Sequence, residues 1–315
     1  MPIKRDVIVI GASAGGVEAL EQVVRTLPVD LPAAVFVVMH VPPRSVSLLP
    51  RILSKAALLP AFHAQDGDTI EPGRIFVAPP DYHLVVERGH VHLGSGPKEQ
   101  HSRPCINVTF RTAAAAYGER VAGVLLTGEL DDGTAGLWEI ERRGGVTVVQ
   151  NPEEAAFPSM PLSALREMEV DHTVSLADIG PLLGKLATNG VGSSVKTEDE
   201  GEEGLGMDSQ LTDLTCPECR GTIWEIKRGN AKDYRCRVGH TYSAKSMLAE
   251  HVATQEKTLY SALVALEEGA SLMRRLADDF DPELATRLRY AAAEREEQAK
   301  TIRGLFKHPL SFEIG

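Results

Sequence analysis

The sequence is poor in several features, and each shortage argues against a class of protein. Basic residues are outnumbered, with 33 lysines and arginines against 44 acids and a net charge of −11, which argues against a general nucleic-acid binder. No apolar run approaches the roughly 18 residues of a membrane-spanning helix, and the first residues lack a secretory signal pattern. Cysteine occurs only 4 times, mostly in one cluster, which fits a reducing compartment and a metal better than a disulfide framework. We therefore expect a cytoplasmic protein, and its 315 residues, 43% of them hydrophobic, are enough for two domains.

Residues 6–16 predict an apolar strand that runs into a tight turn and then a helix. Gly11, Gly15 and Gly16 let the backbone turn sharply, and Ser13 lies inside the turn. Because the N–H groups at the start of the helix favour negative charge, the turn suits either a phosphate or a nucleophile. A dinucleotide fingerprint would need glycine where Ser13 stands. From this segment alone nucleotide binding is the ordinary interpretation, and a nucleophilic serine is the alternative.

Two further predicted strands end in side chains that could serve a nucleophilic serine. Residues 33–39 are typical of a buried parallel strand and are followed by His40. Residues 121–127 have the same character and lead to Asp131 and Asp132. In a parallel α/β sheet ligands bind at the carboxyl ends of the strands. The sequence therefore predicts that Ser13, His40 and Asp132 converge there.

These residue types meet the needs of acyl transfer. A serine hydroxyl becomes nucleophilic when a neutral imidazole accepts its proton, and a carboxylate holds that imidazole in the required tautomer. Each residue also has an ordinary explanation, with His40 as a core histidine and Asp132 or Asp131 as the N-cap of a helix over Thr134–Arg142. Asp131 is also an alternative to Asp132 as the orienting acid. The order Ser, His, Asp argues against the α/β-hydrolase fold, whose acid precedes its histidine.

Six ordered motifs resemble those of one known family. They are Val-Ile-Gly-Ala-Ser-Ala-Gly-Gly-Val-Glu-Ala-Leu (9–20), His-Val-Pro-Pro (40–43), Val-Ala-Pro-Pro-Asp-Tyr-His-Leu (77–84), Ser-Arg-Pro-Cys-Ile-Asn-Val-Thr-Phe-Arg (102–111), Leu-Leu-Thr-Gly-x-x-x-Asp-Gly (125–133) and Ala-x-Phe-x-Ser-Met-Pro (155–161). Over about residues 5–188 the chain resembles the catalytic domain of the CheB-type chemotaxis protein-glutamate methylesterases.

The resemblance implies an α/β fold with a doubly wound, mostly parallel, Rossmann-like sheet. It implies Ser13 as nucleophile, His40 as general base and then general acid, and Asp132 as orienting carboxylate, with no cofactor for catalysis. The implied reaction hydrolyses a γ-glutamyl methyl ester on a chemoreceptor to glutamate and methanol, with deamidation of receptor glutamines as a related activity. A chemoreceptor cytoplasmic domain or a similar signalling protein is the expected partner, without nucleic acid or membrane insertion.

Several positions near the predicted site carry separate expectations. Ala14 and Glu129 depart from the family pattern, and the extra carboxylate at Glu129 is expected to raise neighbouring pKa values by like-charge repulsion. Ala14 and Gly15 are expected to bind substrate through the backbone N–H groups that follow the nucleophile. Arg103 either binds substrate carboxylates or pairs with a local acid. Cys105 is expected to be a small residue of a first helical turn rather than a thiol nucleophile.

A short hairpin is predicted around residues 84–93. His83, His90 and His92 alternate along it, which suggests that they share one exposed strand face. No metal is assigned to them.

A small-residue, acidic segment at 190–210 has too little apolar surface to pack and is predicted to be a flexible linker. It separates a catalytic domain at 1–189 from a zinc-ribbon-like module at 211–243. Cys216 and Cys219 have C-x₂-C spacing, and Cys236 with His240 completes a Cys₃His set that favours zinc. Four protein ligands leave no open position, so the zinc would be structural. A redox C-x-x-C pair is the alternative, but it lacks a βαβ context.

Residues 244–315 predict a helical hairpin, with one helix over Ala244–Leu276 and a restart at Asp281 and Pro282. Its two apolar stripes are expected to pack on each other or on a partner coil. Two function classes remain: a methylesterase or deamidase, and a non-catalytic adaptor or regulatory protein that binds a partner through the ribbon and helices. No receiver domain is expected ahead of the first catalytic strand. Regulation would then come from the C-terminal region, from a partner or not at all, and the hypothesis is that the ribbon and helices restrain or target the active site.

Overall fold

The computed structural model describes residues 3–43, 45–189, 209–228 and 231–306. The chain divides into two compact units, Met1–Ser246 and Met247–Gly315. The first unit contains the predicted catalytic and ribbon regions, and the second contains most of the predicted helical hairpin.

The first unit is built on a seven-stranded parallel sheet with helices on both faces. Along the chain its elements are β1 (Val7–Ala12), α1 (Gly16–Arg25), β2 (Ala34–Met39), α2 (Leu49–Ala56), β3 (Ala61–His63), β4 (Ile75–Val77), β5 (His83–Val86), β6 (Val91–Gly94), α3 (Ile106–Tyr117), β7 (Val121–Leu125), α4 (Thr134–Arg142), β8 (Val146–Gln150), α5 (Ser159–Glu167), β9 (His172–Val174) and α6 (Leu176–Asn189). The strand order is β3-β4-β2-β1-β7-β8-β9, while β5 and β6 form a separate antiparallel hairpin. The predicted doubly wound, parallel α/β sheet is confirmed.

The alternation of side chains along the central strands explains why helices cover both faces. Ile8 and Ile10 of β1 belong to the apolar core formed with α1, α2 and α6. Val7 and Val9 belong to the opposite core, formed with α3, α4 and α5. A strand that is buried on both faces has a continuous apolar run instead of alternating polar residues. That is the pattern from which the strands were predicted.

The order of the central strands decides which loops meet. β1 lies between β2 and β7 and is parallel to both. The loops that follow these three strands therefore leave the same edge of the sheet side by side. They carry Ser13, His40 and Asp132, respectively.

The hairpin of β5 and β6 corrects one expectation. His90 and His92 are exposed, but His83 is only 4% exposed. The Nε2 atom of His83 hydrogen-bonds to the carbonyl oxygen of Pro97 at 2.9 Å, and burial lowers the pKa of this histidine. The prediction of one shared exposed face is wrong for His83, because the segment that follows the hairpin covers it.

After the parallel sheet the first unit continues as a small four-stranded antiparallel sheet, here called the ribbon. Its strands are β10 (Ser209–Thr215), β11 (Thr222–Arg228), β12 (Ala231–Cys236) and β13 (Thr241–Ser243), in that order. β11 and β12 are seven and six residues long. The predicted linker at 190–210 lies outside the described residues as far as 208, and its last two residues begin β10.

The second unit is a helical hairpin. α7 (Ala244–Leu276) begins in the first unit and continues into the second, where it is followed by α8 (Pro282–Leu305). Asp281 caps α8 by accepting two backbone N–H groups of its first turn, so the predicted restart is confirmed. Buried small or apolar side chains recur every seven residues, at Leu263 and Ala270 on α7, at Ala277 directly after it, and at Ala285, Ala292 and Ala299 on α8.

Contacts between α7 and α8 decide between the two expectations for their apolar stripes. Arg274 of α7 pairs with Glu296 of α8, and the ring of Tyr260 stacks on Phe306 just after α8, with the ring centroids 4.2 Å apart. The helices therefore pack on each other. The predicted hairpin residues 307–315 lie outside the described part of the chain. No helix within the described ranges is both long and apolar enough to cross a membrane.

The core around β2 generates a stability prediction. Phe36 is fully buried and its ring stacks on Phe76, with the centroids 5.2 Å apart. We expect Phe36→Ala to lower the free energy of unfolding by about 3–5 kcal/mol, because the change leaves a cavity in a packed core. Urea unfolding followed by circular dichroism measures the loss. Val29→Ala, at a side chain that is 64% exposed, is the control; equal losses from the two variants would contradict the packing.

Candidate functional site

Ser13 lies at the tip of the turn between β1 and α1. Its N–H donates to the carbonyl of Thr127 at 3.0 Å, and the Thr127 hydroxyl donates to the carbonyl of Ala14 at 3.0 Å. Gly15 has a φ of +71°, and a side chain there would meet the Cβ of Ala156 at 3.0 Å. The loop after β7 thus fixes the backbone on both sides of the serine. The turn requires glycine at position 15, directly before α1.

The side chains of Ser13, His40 and Asp132 form one hydrogen-bonded chain. His40 Nδ1 lies 3.1 Å from Ser13 Oγ, and His40 Nε2 lies 2.7 Å from Asp132 Oδ2. The ring is used in the opposite sense to that of chymotrypsin, in which Nε2 faces the serine. When the proton resides on Nε2 and is donated to the acid, the lone pair of Nδ1 faces the serine hydroxyl. The geometry can therefore move a proton from Ser13 to His40.

Asp132 is a buried carboxylate that the start of α3 surrounds with donors. Its Oδ2 accepts the N–H of Ile106 at 2.8 Å, and its Oδ1 accepts the N–H of Asn107 at 3.0 Å and the Cys105 thiol at 3.2 Å. Complete burial alone acts to raise the pKa of Asp132, but the hydrogen bonds with His40, Ile106 and Asn107 outweigh it and hold that pKa below its ordinary value. The acid is therefore charged, at the positive end of a helix.

Cys105 lies immediately before α3 and is fully buried. Burial raises the pKa of its thiol well above the usual value, and the nearby charge of Asp132 adds to the rise. A thiol that stays protonated donates a hydrogen bond and is a poor nucleophile. The expectation that Cys105 is not the nucleophile agrees with this environment, although its bond to the acid was not foreseen.

The neighbouring Asp131 turns toward the ribbon. Its Oδ1 accepts the Ser243 hydroxyl at 2.8 Å. Burial raises the pKa of Asp131 to about 6, while the Ser243 hydrogen bond opposes the rise. Glu129 was expected to raise neighbouring pKa values, but it is exposed and burial is the main cause at Asp131, whereas the pKa of Asp132 is lowered. Of the two adjacent acids, Asp132 is the one that reaches His40.

Arg103 is held within its own loop. Its Nε and Nη2 donate to Asp81 Oδ1 at 3.1 and 2.8 Å. Its Nη1 donates to the carbonyl oxygens of Ser95 and Gly96 at 2.9 and 2.6 Å. This arrangement is the local pairing that was one of the two alternatives, and nothing in the geometry favours a role in binding substrate carboxylates.

Further polar residues that the sequence reasoning missed hold the site loops in place. Gln150 Oε1 accepts the N–H of Thr127 at 2.9 Å, and Asn107 Oδ1 accepts the N–H of Gly133 at 3.0 Å. Asn107, Thr127 and Gly133 lie within the family motifs, so motif membership was an available signal for them. Gln150 is the last residue of β8 and carried no comparable signal.

A cavity of about 720 Å³ lies beside the acid loop. It is lined by Asp131 of that loop, Trp138 of α4, Glu167 of α5 and Lys245 of α7, together with residues of the ribbon, and neither Ser13 nor His40 lines it. This cavity is therefore separate from the place where an acyl group would meet the serine.

Cys216, Cys219, Cys236 and His240 meet at one end of the ribbon, and their ligand atoms all lie within 4.8 Å of one another. Cys219 Sγ is 3.7 Å from Cys236 Sγ, and His240 Nδ1 is 3.4 Å from Cys236 Sγ and 3.7 Å from Cys216 Sγ. A zinc ion about 2.3 Å from sulfur and about 2.0 Å from nitrogen separates tetrahedral ligand atoms by roughly 3.5–3.8 Å. The three separations given lie close to these values, and the four residues could hold a metal ion.

Known proteins share the first part of this architecture. The family model described as CheB methylesterase matches residues 8–183. A Methanosarcina mazei protein named protein-glutamate methylesterase/protein-glutamine glutaminase 2 is 39% identical over 180 residues, which are 55% of this chain and 49% of that protein. A Leptospira interrogans protein, provisionally given the same activity, is 38% identical over 185 residues, 58% of this chain and 96% of that protein.

A solved structure matches the same region. The crystal structure of the Thermotoga maritima CheB methylesterase catalytic domain aligns with a TM-score of 0.55 at 31% identity, and the match covers 59% of this chain and 100% of that domain. The chain spans about half the length of the Methanosarcina relative, and the ribbon and α8 lie beyond the residues that the family model matches. Over residues 8–183, more than half of its length, the chain belongs to the CheB methylesterase family.

Proposed function

We propose that this protein is a serine hydrolase that removes methyl esters from glutamate side chains of a chemoreceptor-type signalling protein. Hydrolysis of glutamine side-chain amides is the second activity of the same site. The observation that carries the proposal is the hydrogen-bonded chain from Ser13 through His40 to Asp132. The substrate class follows the relatives' names, protein-glutamate methylesterase/protein-glutamine glutaminase. This chain of three groups favours hydrolysis over a purely adaptor function.

Acylation uses each of the three side chains. His40 Nδ1 accepts the Ser13 hydroxyl proton while Oγ attacks the ester carbonyl carbon. Asp132 stabilises the resulting imidazolium through Nε2 and keeps the ring oriented. Methoxide is a poor leaving group, so the imidazolium protonates it as the tetrahedral intermediate collapses, which releases methanol and leaves Ser13 acylated.

Deacylation reverses the proton movements. His40 takes a proton from water as the water oxygen attacks the acyl carbon, and it then returns a proton to Ser13 Oγ as glutamate leaves. With a glutamine substrate, ammonia leaves in the first step in place of methanol.

Backbone donors next to the nucleophile complete the proposed site. The N–H groups of Ala14 and Gly15 come between Ser13 and α1, which begins at Gly16. We assign them to the oxyanion, because the start of α1 adds its partial positive charge there. A donor of this kind typically contributes about 10²–10³ in rate.

The nucleophile and base generate the first kinetic prediction. Ser13→Ala should lower kcat for methanol release from a methylated chemoreceptor fragment by roughly 10⁴–10⁶, and His40→Ala by a similar factor. The double variant should lose little more, because the two residues act as a unit. Ser54→Ala, on the exposed side of α2, is the control with an unchanged rate. Full hydrolysis by Ser13→Ala would exclude the proposal.

The acid generates the second kinetic prediction. Asp132→Asn keeps the side-chain shape but removes the charge that favours the Nε2–H tautomer, so kcat should fall by about 10⁴ with little change in KM. Steady-state methanol release measures both constants. Glu129→Gln removes an exposed carboxylate nearby and should leave kcat nearly unchanged. Equal losses in the two variants would show that Asp132 has no special part in the reaction.

We also propose that Cys216, Cys219, Cys236 and His240 hold a structural zinc ion. Three separations of 3.4 to 3.7 Å between their ligand atoms, and the proximity of all four atoms within 4.8 Å, support this assignment. With four protein ligands, such an ion would hold the ribbon strands together and would leave no position for substrate. The zinc would take no part in the chemistry, which Ser13, His40 and Asp132 carry out.

Metal analysis tests the zinc assignment. Protein purified without chelator should contain about one zinc ion per chain, and Cys219→Ser should contain much less. Chelation should lower the unfolding temperature of the ribbon, because so small a module has little core without its metal. Differential scanning calorimetry measures the shift. Protein that binds no zinc under these conditions would contradict the assignment.

A further inference from the structure

Residues 95–104, here called the strap, join the ribbon to the catalytic part of the first unit. The N–H of Gln100 donates to the carbonyl of Thr241 at 2.8 Å. Glu99 pairs with Thr241 as a parallel bridge, and Thr241 directly follows His240 in the chain. The strap therefore lies beside β13 and pairs with it at Thr241.

The strap also contacts residues that surround the four-ligand cluster. Lys98 Nζ donates to Glu218 Oε1 at 2.7 Å, two residues beyond Cys216. The ring of His101 packs on Tyr242 with centroids 4.8 Å apart, and the Tyr242 hydroxyl lies 3.3 Å from Cys216 Sγ. The strap therefore touches residues that lie next to the ligands of the cluster.

A buried polar cluster at the start of α7 makes a second connection. Gln100 Oε1 accepts the N–H of Ser243 at 3.0 Å and the hydroxyl of Ser246, and Ser243 Oγ donates to Asp131. Gln100, Asp131 and Ser246 are each at most 8% exposed. Breaking such bonds leaves buried polar groups unpaired, which is costly. The cluster therefore fixes the acid loop relative to the ribbon.

Both connections end at the same carboxylate. The strap leads directly into Cys105, Ile106 and Asn107, whose donors surround Asp132. Asp131, which Ser243 holds, precedes Asp132 in the chain. The ribbon is thus linked to Asp132 in two ways, through the strap and the start of α3, and through Ser243 and Asp131.

We propose that Gln100 and Ser243 are positioning residues for Asp132, and that the metal cluster of the ribbon acts through them. A metal-bound ribbon holds the acid in line with His40, and metal loss lowers the turnover of a reaction in which the metal takes no part. This inference rests on the proposed hydrolase function. Because coupling between two sites is reciprocal, loosening the connection also weakens metal binding.

The test uses the full chain and four variants. Gln100→Ala and Ser243→Ala should each lower kcat for methanol release by about 10-fold with little change in KM, within the usual range of coupling between sites. Gln210→Ala on β10 and Ser261→Ala on α7 replace the same residue types at exposed positions and should behave as wild type. In competition with a chelator, Gln100→Ala should bind zinc about 5- to 10-fold more weakly than Gln210→Ala.

Metal removal tests the inference further, because a general loss of structure in the variants would not produce the following results. Chelation of the wild type should lower kcat to the level of Gln100→Ala, zinc should restore it, and chelation of Gln100→Ala should add little. Amide hydrogen exchange over residues 97–107 should accelerate on chelation. Unchanged exchange and unchanged kcat after metal removal, or variants that match their controls, would overturn the inference.

The two proposals fail in different ways. If the wild type releases no methanol but zinc still protects residues 97–107 from exchange, the hydrolase function is wrong and the coupling of ribbon to acid loop stands. If the wild type hydrolyses ester but neither exchange nor kcat responds to metal, the function stands and the positioning role is wrong.

Discussion

The buried charge of Asp132 is the constraint on which the rest of the site depends. A carboxylate removed from water takes up a proton unless donors replace its hydration. Here the donors come from the start of α3, so that helix must begin directly beneath the loop after β7. Its position is set by packing, because Ile106 and Phe110 are buried against the sheet. A Cβ atom at Gly11 would approach the Ile106 side chain to 2.4 Å and would displace the start of α3. The glycine at this position of β1 therefore helps to keep Asp132 ionised.

Both the sheet topology and local hydrogen bonds position the side chains at this edge of the sheet. The parallel strands determine which loops are neighbours, and local hydrogen bonds determine how each loop presents its side chain. The turn at Ser13 illustrates the local hydrogen bonds, since Thr127 bonds to the backbone on both sides of the serine. The ribbon contributes in the same way from a distant part of the sequence, because Gln100 and Ser243 link its last strand to the loop that carries the acids.

Much of the fold was predictable because parallel strands buried on both faces leave uninterrupted apolar runs, and ligand spacing identified the cysteine and histidine cluster. The contacts between segments that are far apart in the sequence were not predictable. The bond from Ser243 to Asp131 joins residues that are 112 positions apart. The thiol donor at Cys105 becomes visible only when α3 lies beside the acid. His83 was misplaced because alternation along a hairpin does not reveal which segment covers each face, and the two alternatives for Arg103 could be compared only once Asp81 lay beside it.

The orientation of the His40 ring has a consequence for reagents that modify histidine. Its Nε2 atom is covered by the buried carboxylate of Asp132, while Nδ1, which is bonded to Cγ, faces the serine. An electrophile that enters alongside an acyl group meets only that second nitrogen, which lies close to the main chain. A reagent that alkylates Nε2 would therefore find that nitrogen covered by Asp132, and modification of His40 would have to occur at Nδ1.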